Sequence, residues 1–317
     1  MNRIEKSAIK TFLQNHLLTN CMLEKEIIQY IFHLLHGKGK IFSTDETHFS
    51  WGGFYAQVSS FHLKDDTCIQ SIISHAAAIE LLILATDIFD EISDCDQSDL
   101  IVSQLSIGEA ILIANALTME AFRLILHNSK EDDIQEKLSI IISELQNTCN
   151  GQWKDLHFII SECIPTEEEY FTVVKQKSSA LVKLVFELSD MPNRPIWETI
   201  AADIGIAGQL KNDARDIMSD DKSDLIHKKA TLPFIKAIEY SSKKDNGWLV
   251  RKLRQLKEAN NNSPLIKEIR NYIQKTGAID YCLILSKIYM DKAFRQIAAH
   301  FPEKQVQIAR LKRYLES

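Results

Sequence analysis

Residues 69–92 carry a single charged side chain, Glu80, before Asp87, and their apolar residues recur at helical spacing. A helix that is apolar on most sides must be enclosed by other elements, so the chain has to fold around this one. The apolar turn Leu81-Leu82-Ile83-Leu84-Ala85 runs directly into Asp87, Asp90, Glu91, Asp94 and Asp96, with no basic residue among them. That sequence puts carboxylates at the mouth of a buried apolar space.

The remaining chain reads as helices too. Ile27, Ile28, Ile31, Leu34 and Leu35 form one face. Further helices are expected over 107–126, 133–163, 167–189, 196–219, 231–241, 245–259, 264–275 and 277–299. Pro165-Thr166-Glu167-Glu168-Glu169 is an N-terminal cap for the helix over 167–189. Met191-Pro192-Asn193-Arg194-Pro195 is the clearest break, and 36–53 the longest irregular piece. No segment alternates with period two, and Gly (10) and Pro (6) are scarce, which fits few turns. The expectation is one all-α domain over 1–317, with 1–50 forming N-terminal helices and a loop.

A net charge of −6 argues against a nucleic-acid surface. Cys21, Cys68, Cys95, Cys149, Cys163 and Cys282 form no CxxC pair, so neither a zinc ribbon nor a dithiol site is indicated. Reduced thiols and a cytoplasmic location are expected. Residues 1–6 lack a signal-peptide core, and no uncharged run reaches the roughly 18 residues of a membrane span.

Asp90 and Asp94 lie four apart on one helix face, and Asp87 and Glu91 form an adjacent pair. Like charges at this spacing near a helix C-terminus destabilise it unless a cation intervenes. Read alone, the group could equally be a solvated acidic helix end. A second cluster lies in Gly208-Gln209-Leu210-Lys211-Asn212-Asp213-Ala214-Arg215-Asp216, followed by Lys229-Ala230-Thr231-Leu232-Pro233. Read alone it could be a polar face with a surface Arg215–Asp216 pair. Gly205 and Gly208 would let a neighbour or ligand approach closely. Two acidic helices with a lysine behind the second are what holding a diphosphate through Mg²⁺ requires.

These residues resemble the trans-isoprenyl diphosphate synthase (polyprenyl synthase) superfamily. Asp90-Glu91-Ile92-Ser93-Asp94 matches its DDxxD motif, with Glu at the second position. The 208–216 segment matches FQxxDDxxD, with Gly208 for Phe and Asn212 for the first Asp, and 229–233 matches KxTLP fully. Gly108-Glu109-Ala110, Gly151-Gln152 with Asp155, Lys177-Ser178-Ser179-Ala180-Leu181 and Gly277-Ala278-Ile279 resemble further family segments, in family order. The resemblance spans roughly residues 70–300.

It implies an isoprenoid-synthase-type helical bundle around a central apolar cavity, a homodimer, and Mg²⁺-assisted ionisation of an allylic diphosphate. Asp90, Asp94, Asp213 and Asp216 would be the metal carboxylates, with Glu91 and Asn212 as secondary ligands. Lys177, Lys229 and, less directly, Lys222 would stabilise the leaving diphosphate. Ala85 and Thr86, one turn below the carboxylates, would leave room for a farnesyl or longer chain, although Ala85 could equally serve packing. Gln152 and Asp155 would position diphosphate or acceptor, or make a structural helix contact. His75 and His157 read as helix histidines rather than bases, and Trp51, Trp153, Trp197 and Trp248 as packing residues.

The departures matter as much. Chain-elongating members carry GGKxR before the first motif and an Arg-Arg pair after it, which hold isopentenyl diphosphate. Here Gln97-Ser98-Asp99-Leu100-Ile101 follows Asp96, and Gly37-Lys38-Gly39-Lys40 is only a partial, displaced counterpart. A free diphosphate needs several cationic contacts. The pattern therefore resembles the ComQ-type isoprenyltransferases, which prenylate a tryptophan of a quorum-sensing pheromone precursor in competence signalling. The run 78–91 is similar to that subgroup. Alternatives are a short-chain synthase using isopentenyl diphosphate, a class I terpene cyclase (Asn212, Asp216 and Asp220 are spaced i, i+4, i+8), and a non-catalytic partner subunit.

Overall fold

Helices are the only regular elements among the described residues of this computed structural model, which are all but 1–4, 38, 44–48, 62–68, 95–104, 161–163, 192–193, 220–224, 226–227, 257–263 and 317. Expectations placed on Lys222, Lys38, Asp96 to Ile101, Pro192-Asn193, Asp220, Cys68, Cys95 and Cys163 lie outside that set. Cys21, Cys149 and Cys282 are free thiols. The all-α expectation holds, and the helices divide between two compact units. The first comprises Met1–Glu144, Lys183–Glu198 and Phe294–Ser317; the second comprises Leu145–Val182 and Thr199–Ala293.

In the first unit, α1 (Lys6–Asn15), α2 (Lys25–Leu35) and α3 (Trp51–Ser59) precede the long α4 (Ile69–Ser93) and α5 (Ile107–Asn128). The expectation of irregular chain through 53 gives way at Trp51: Ser50 caps α3 by accepting from the Gly53 N–H. α4 packs most extensively on α5, then on α3 and α1. Its residues Ala76 to Ala85 are buried throughout, as the sequence required. By length and composition α4 and α5 could each cross a membrane, but 78% of the apolar window of α4 is buried in the protein, as befits a core helix.

Two features tie distant segments to the start of α3. Gly52 lies so close that a Cβ there would stand 2.5 Å from the Ala76 carbonyl oxygen, and its N–H donates to buried Glu80 at 2.8 Å. The Tyr314 hydroxyl, from the last helix, accepts from the Ser50 N–H at 2.9 Å. His75 of α4 is 2% exposed, with Tyr55 Oη 3.3 Å from Nδ1 and Ser129 Oγ 3.1 Å from Nε2. Burial, with a smaller push from Lys137, lowers its pKa to about 3.

The folded state therefore declines a proton that the unfolded chain accepts near pH 6.5. Stability is full above that pH and falls as pH drops from 6.5 toward 3. The expected loss is on the order of a few kcal/mol, read from urea midpoints across that window. His75→Gln should flatten this slope.

The second unit holds the C-terminal part of α6 (Glu131–Asp155), α7 (Glu167–Gln176), most of α9 (Arg194–Asp216), α10 (Leu232–Lys244), α11 (Trp248–Gln255), α12 (Pro264–Lys275) and most of α13 (Ala278–His300). The unit boundaries fall within α6, α8 (Ser178–Leu188), α9 and α13; α14 (Gln305–Glu316) belongs to the first unit. Tyr170, Val174, Ile206, Leu210, Ala214, Leu232, Ile235 and Cys282 form one core of the second unit.

Three expectations are corrected. The helix expected over 133–163 stops at Asp155, because Ile159 pairs antiparallel with Lys229: the Ile160 N–H donates to the Lys228 carbonyl at 2.9 Å and the Ala230 N–H to Phe158 at 2.8 Å. The helix expected over 167–189 is two, broken at Lys177 (φ −90°, ψ −82°). Its N-terminus is as read: Thr166 and Glu169 form a reciprocal capping box. Trp153 is 67% exposed rather than packed, whereas Trp197 is buried and stacked on Phe186 and Phe301.

Candidate active site

The first acidic cluster occupies the last turns of α4. Asp90 and Asp94 stand on one face, and both are part-buried, as is Glu91. The Asp94 N–H closes the final turn onto the Asp90 carbonyl at 2.8 Å. Ala85 is fully buried beneath them, and part-buried Thr86 donates its hydroxyl to the Ile83 carbonyl. Lys40, in the turn after α2, forms an ion pair with Asp87. Gly39 makes that turn at φ +77°, a conformation suited to glycine. Burial pulls the Lys40 ammonium toward neutrality, but Asp87, with Glu80 and Glu91, outweighs it and holds its pKa above the ordinary lysine value.

The second cluster occupies the C-terminal turns of α9. Asp213 is 3% exposed, so the surface-face alternative fails for this residue. Its Oδ1 accepts from Gln209 Nε2 at 2.7 Å and its Oδ2 from the Tyr170 hydroxyl at 2.7 Å. Ser178 Oγ in turn donates to Gln209 Oε1. Burial and the neighbouring Asp213 charge push the Tyr170 phenol well above its usual value, so it stays a donor. Asp216 is part-buried; Asn212, expected as a secondary ligand, is exposed. Buried Arg270 donates from Nε to the Ile217 carbonyl at 3.0 Å and from Nη2 to Ser219, satisfying carbonyls left open where α9 ends.

Of the two glycines expected to permit close approach, Gly205 does so: a Cβ there would lie 2.5 Å from Ser179 Cα. Gly208 faces open space.

Lys177 and Lys229, the two lysines singled out within the described residues, converge on Asp155 at 3.1 and 3.6 Å. Burial disfavours the Asp155 carboxylate, but the two ammoniums win and hold its pKa below the usual range. Gln152 is part-buried on the same turn of α6. Two residues past Lys229, the buried Thr231 hydroxyl has no hydrogen-bond partner among the described residues.

Sequence reasoning missed Tyr170, the orienting use of Gln209, and the Lys40–Asp87 pair. None had a local signal, since each partner lies more than 40 residues away or, for Gln209, reads simply as a motif letter.

Mg²⁺ takes one or two protein carboxylates and completes its octahedron with water and phosphate oxygens. Asp90 with Asp94, one helical turn apart and part-buried, fit that demand, as does the oriented Asp213 beside Asp216. Among the described residues no three His, Cys, Asp or Glu side chains form a ready-made cage.

The all-α fold is that of the isoprenoid-synthase class. Residues 53–273 match the polyprenyl synthetase family, and the chain belongs to that family. It is accordingly an enzyme, a prenyl diphosphate-using transferase.

Similar proteins of two kinds match at equal identity. The short chain isoprenyl diphosphate synthase of Methanothermobacter thermautotrophicus is 29% identical over 223 residues, 65% of this chain and 67% of that one. The tryptophan prenyltransferase ComQ of Bacillus spizizenii is 29% identical over 198 residues, 61% of this chain and 68% of that one. A polyprenyl synthase from Caulobacter crescentus, solved with calcium and isoprenyl diphosphate, superposes with a TM-score of 0.77 and 20% identity, covering 99% of this chain and 98% of that one.

Proposed function

We propose that this enzyme ionises an allylic prenyl diphosphate, geranyl or farnesyl, with Mg²⁺ and transfers the prenyl group to the indole of a tryptophan in a peptide. The observation that carries the choice of acceptor is the engagement, among the described residues, of Lys40 and Arg123. Lys40 is part-buried and ion-paired with Asp87. No Lys or Arg follows Asp94 until Arg123, and Arg123 is committed to Glu120 and to the Asn20 carbonyl. A second, metal-free diphosphate would meet carboxylates there rather than the several cations it needs. An uncharged indole needs none. The likeness to a tryptophan prenyltransferase supports this reading, and the likeness to a short-chain synthase supports the alternative.

In this reading Asp90 with Asp94, and Asp213 with Asp216, would each hold metal, with Glu91 and Asn212 in reserve. Bound Mg²⁺ supplies charge stabilisation to the departing diphosphate. Lys177 and Lys229 add positive charge where negative charge develops, and Lys222 is assigned the same part. Tyr170 and Gln209 fix the direction of the Asp213 carboxylate. Ala85 and Thr86, with the apolar turns below them, shield the prenyl cation from water, while Gln152 orients diphosphate or acceptor.

The test offers geranyl or farnesyl diphosphate and Mg²⁺ with either isopentenyl diphosphate or a tryptophan-containing peptide encoded beside the gene. Products are weighed by mass spectrometry. Prenylated peptide without response to isopentenyl diphosphate is expected; a lengthened diphosphate would establish the synthase alternative instead.

We also assign a second copy of this chain to the exposed apolar stripe of α5. Ile107, Ile111, Leu112, Met119 and Leu126 are 38–69% exposed there, at helical spacing. Light scattering behind size exclusion should give twice the chain mass, and Met119→Lys should shift it toward one.

A further inference from the structure

Asp155 is the last residue of α6, and the two lysines that reach it are set by backbone rather than by side-chain freedom. Lys177 sits at the break between α7 and α8, and its backbone passes so close to α6 that a Cβ on Gly151 would lie 2.6 Å from the Lys177 nitrogen. Lys229 is fixed by the bridge to Ile159, with Lys228 before it in the left-handed region at φ +56°. Lys154, beside Asp155, donates to Gln176 Oε1 at 2.8 Å and braces the same junction. Three separate segments thus bring two ammoniums to one carboxylate, an oxygen anion of the kind a diphosphate would offer.

We propose that Asp155 is a positioning residue that serves as a built-in counter-anion for Lys177 and Lys229, and that it sets how tightly the enzyme retains pyrophosphate. This rests on the reading of those lysines as diphosphate groups. The three side chains together carry one net positive charge. Without the carboxylate they carry two, confined beside each other and partly desolvated, and an arriving pyrophosphate relieves that repulsion. With the carboxylate, the lysines have an acceptor to return to as pyrophosphate leaves. Asp155 therefore weakens product binding and speeds release.

The experiment titrates inorganic pyrophosphate calorimetrically into the full chain, with and without Mg²⁺, for the parent, Asp155→Asn, Lys229→Gln and the double variant. Asp155→Asn is expected to bind pyrophosphate roughly tenfold more tightly, about 1.4 kcal/mol. Its kcat should fall while kcat/KM is kept or raised, which a loss of structure would not produce. Lys229→Gln should bind more weakly than the parent, and the double variant should return toward it.

If Asp155→Asn does not fold, the double variant against Lys229→Gln asks the same question with one lysine present, and tighter binding by the double variant is again required. Equal or weaker binding on loss of Asp155 overturns the proposal. Parent-like binding by both Lys229→Gln and Lys177→Gln would instead remove the assignment of the lysines beneath it.

Discussion

Asp213→Asn is expected to lower prenyl-transfer turnover by about 10²–10³-fold, the scale seen when one preorganised electrostatic group is removed. The carboxylate is buried, and both oxygens are aimed by donors, Gln209 and Tyr170. An amide removes the charge that would hold a metal. It also turns one acceptor into a donor, so it must either oppose the Gln209 amide or reverse the Tyr170 bond, with the phenol then accepting. Losing one such buried bond costs about 1–3 kcal/mol. Tyr170→Phe keeps the charge and loses one aiming bond, so a smaller fall of about tenfold follows. Asn212→Ala, at an exposed neighbour, should retain most activity. Pyrophosphate release from the allylic substrate, measured beside circular dichroism, separates chemistry from folding. Turnover above a tenth of the parent in a folded Asp213→Asn protein would remove Asp213 from the mechanism.

Gly151→Ala should destabilise the chain by about 1–3 kcal/mol, the cost of overpacking a close contact, and should reduce turnover at temperatures where it remains folded. The added Cβ would meet Lys177 N at 2.6 Å, Gln176 C at 2.9 Å and Lys177 Cβ at 2.9 Å. Two of these are backbone atoms at the α7–α8 break and cannot swing aside as a side chain would. Relief requires α6 to separate from that break, which carries Lys177 away from Asp155. Gly208→Ala is the counterpart: nothing lies within 4 Å, and the change should be neutral or stabilise the helix by up to about 1 kcal/mol. Thermal unfolding ranks the pair, and a Gly151→Ala midpoint equal to the parent's would show that the junction has slack.

Helix content was legible in the chain because burial of one face leaves a periodic record. α4 had to be central because it has no polar face to give to water. α12 spans the expected 264–275, since Pro264 and the apolar period mark it locally. Thr166 announced its capping box for the same local reason. The acidic residues of both clusters and the two lysines could be named from residue type and order.

What residue order could not convey is which charges meet. Lys177 and Lys229 look alike as letters, but only the chain reversal after Asp155 and the break at Lys177 bring both to one carboxylate. The same reversal ended α6 eight residues before its apolar period did, because an antiparallel pairing with a segment 70 residues away satisfied the backbone instead. Asp213 and Asn212 are neighbours in sequence; rotation about α9 buries one beneath Tyr170 and leaves the other in water. Periodicity and chemical type are local properties that a sequence records directly. Burial, orientation and neutralisation depend on contacts between segments far apart, and those were decided only when the chain packed.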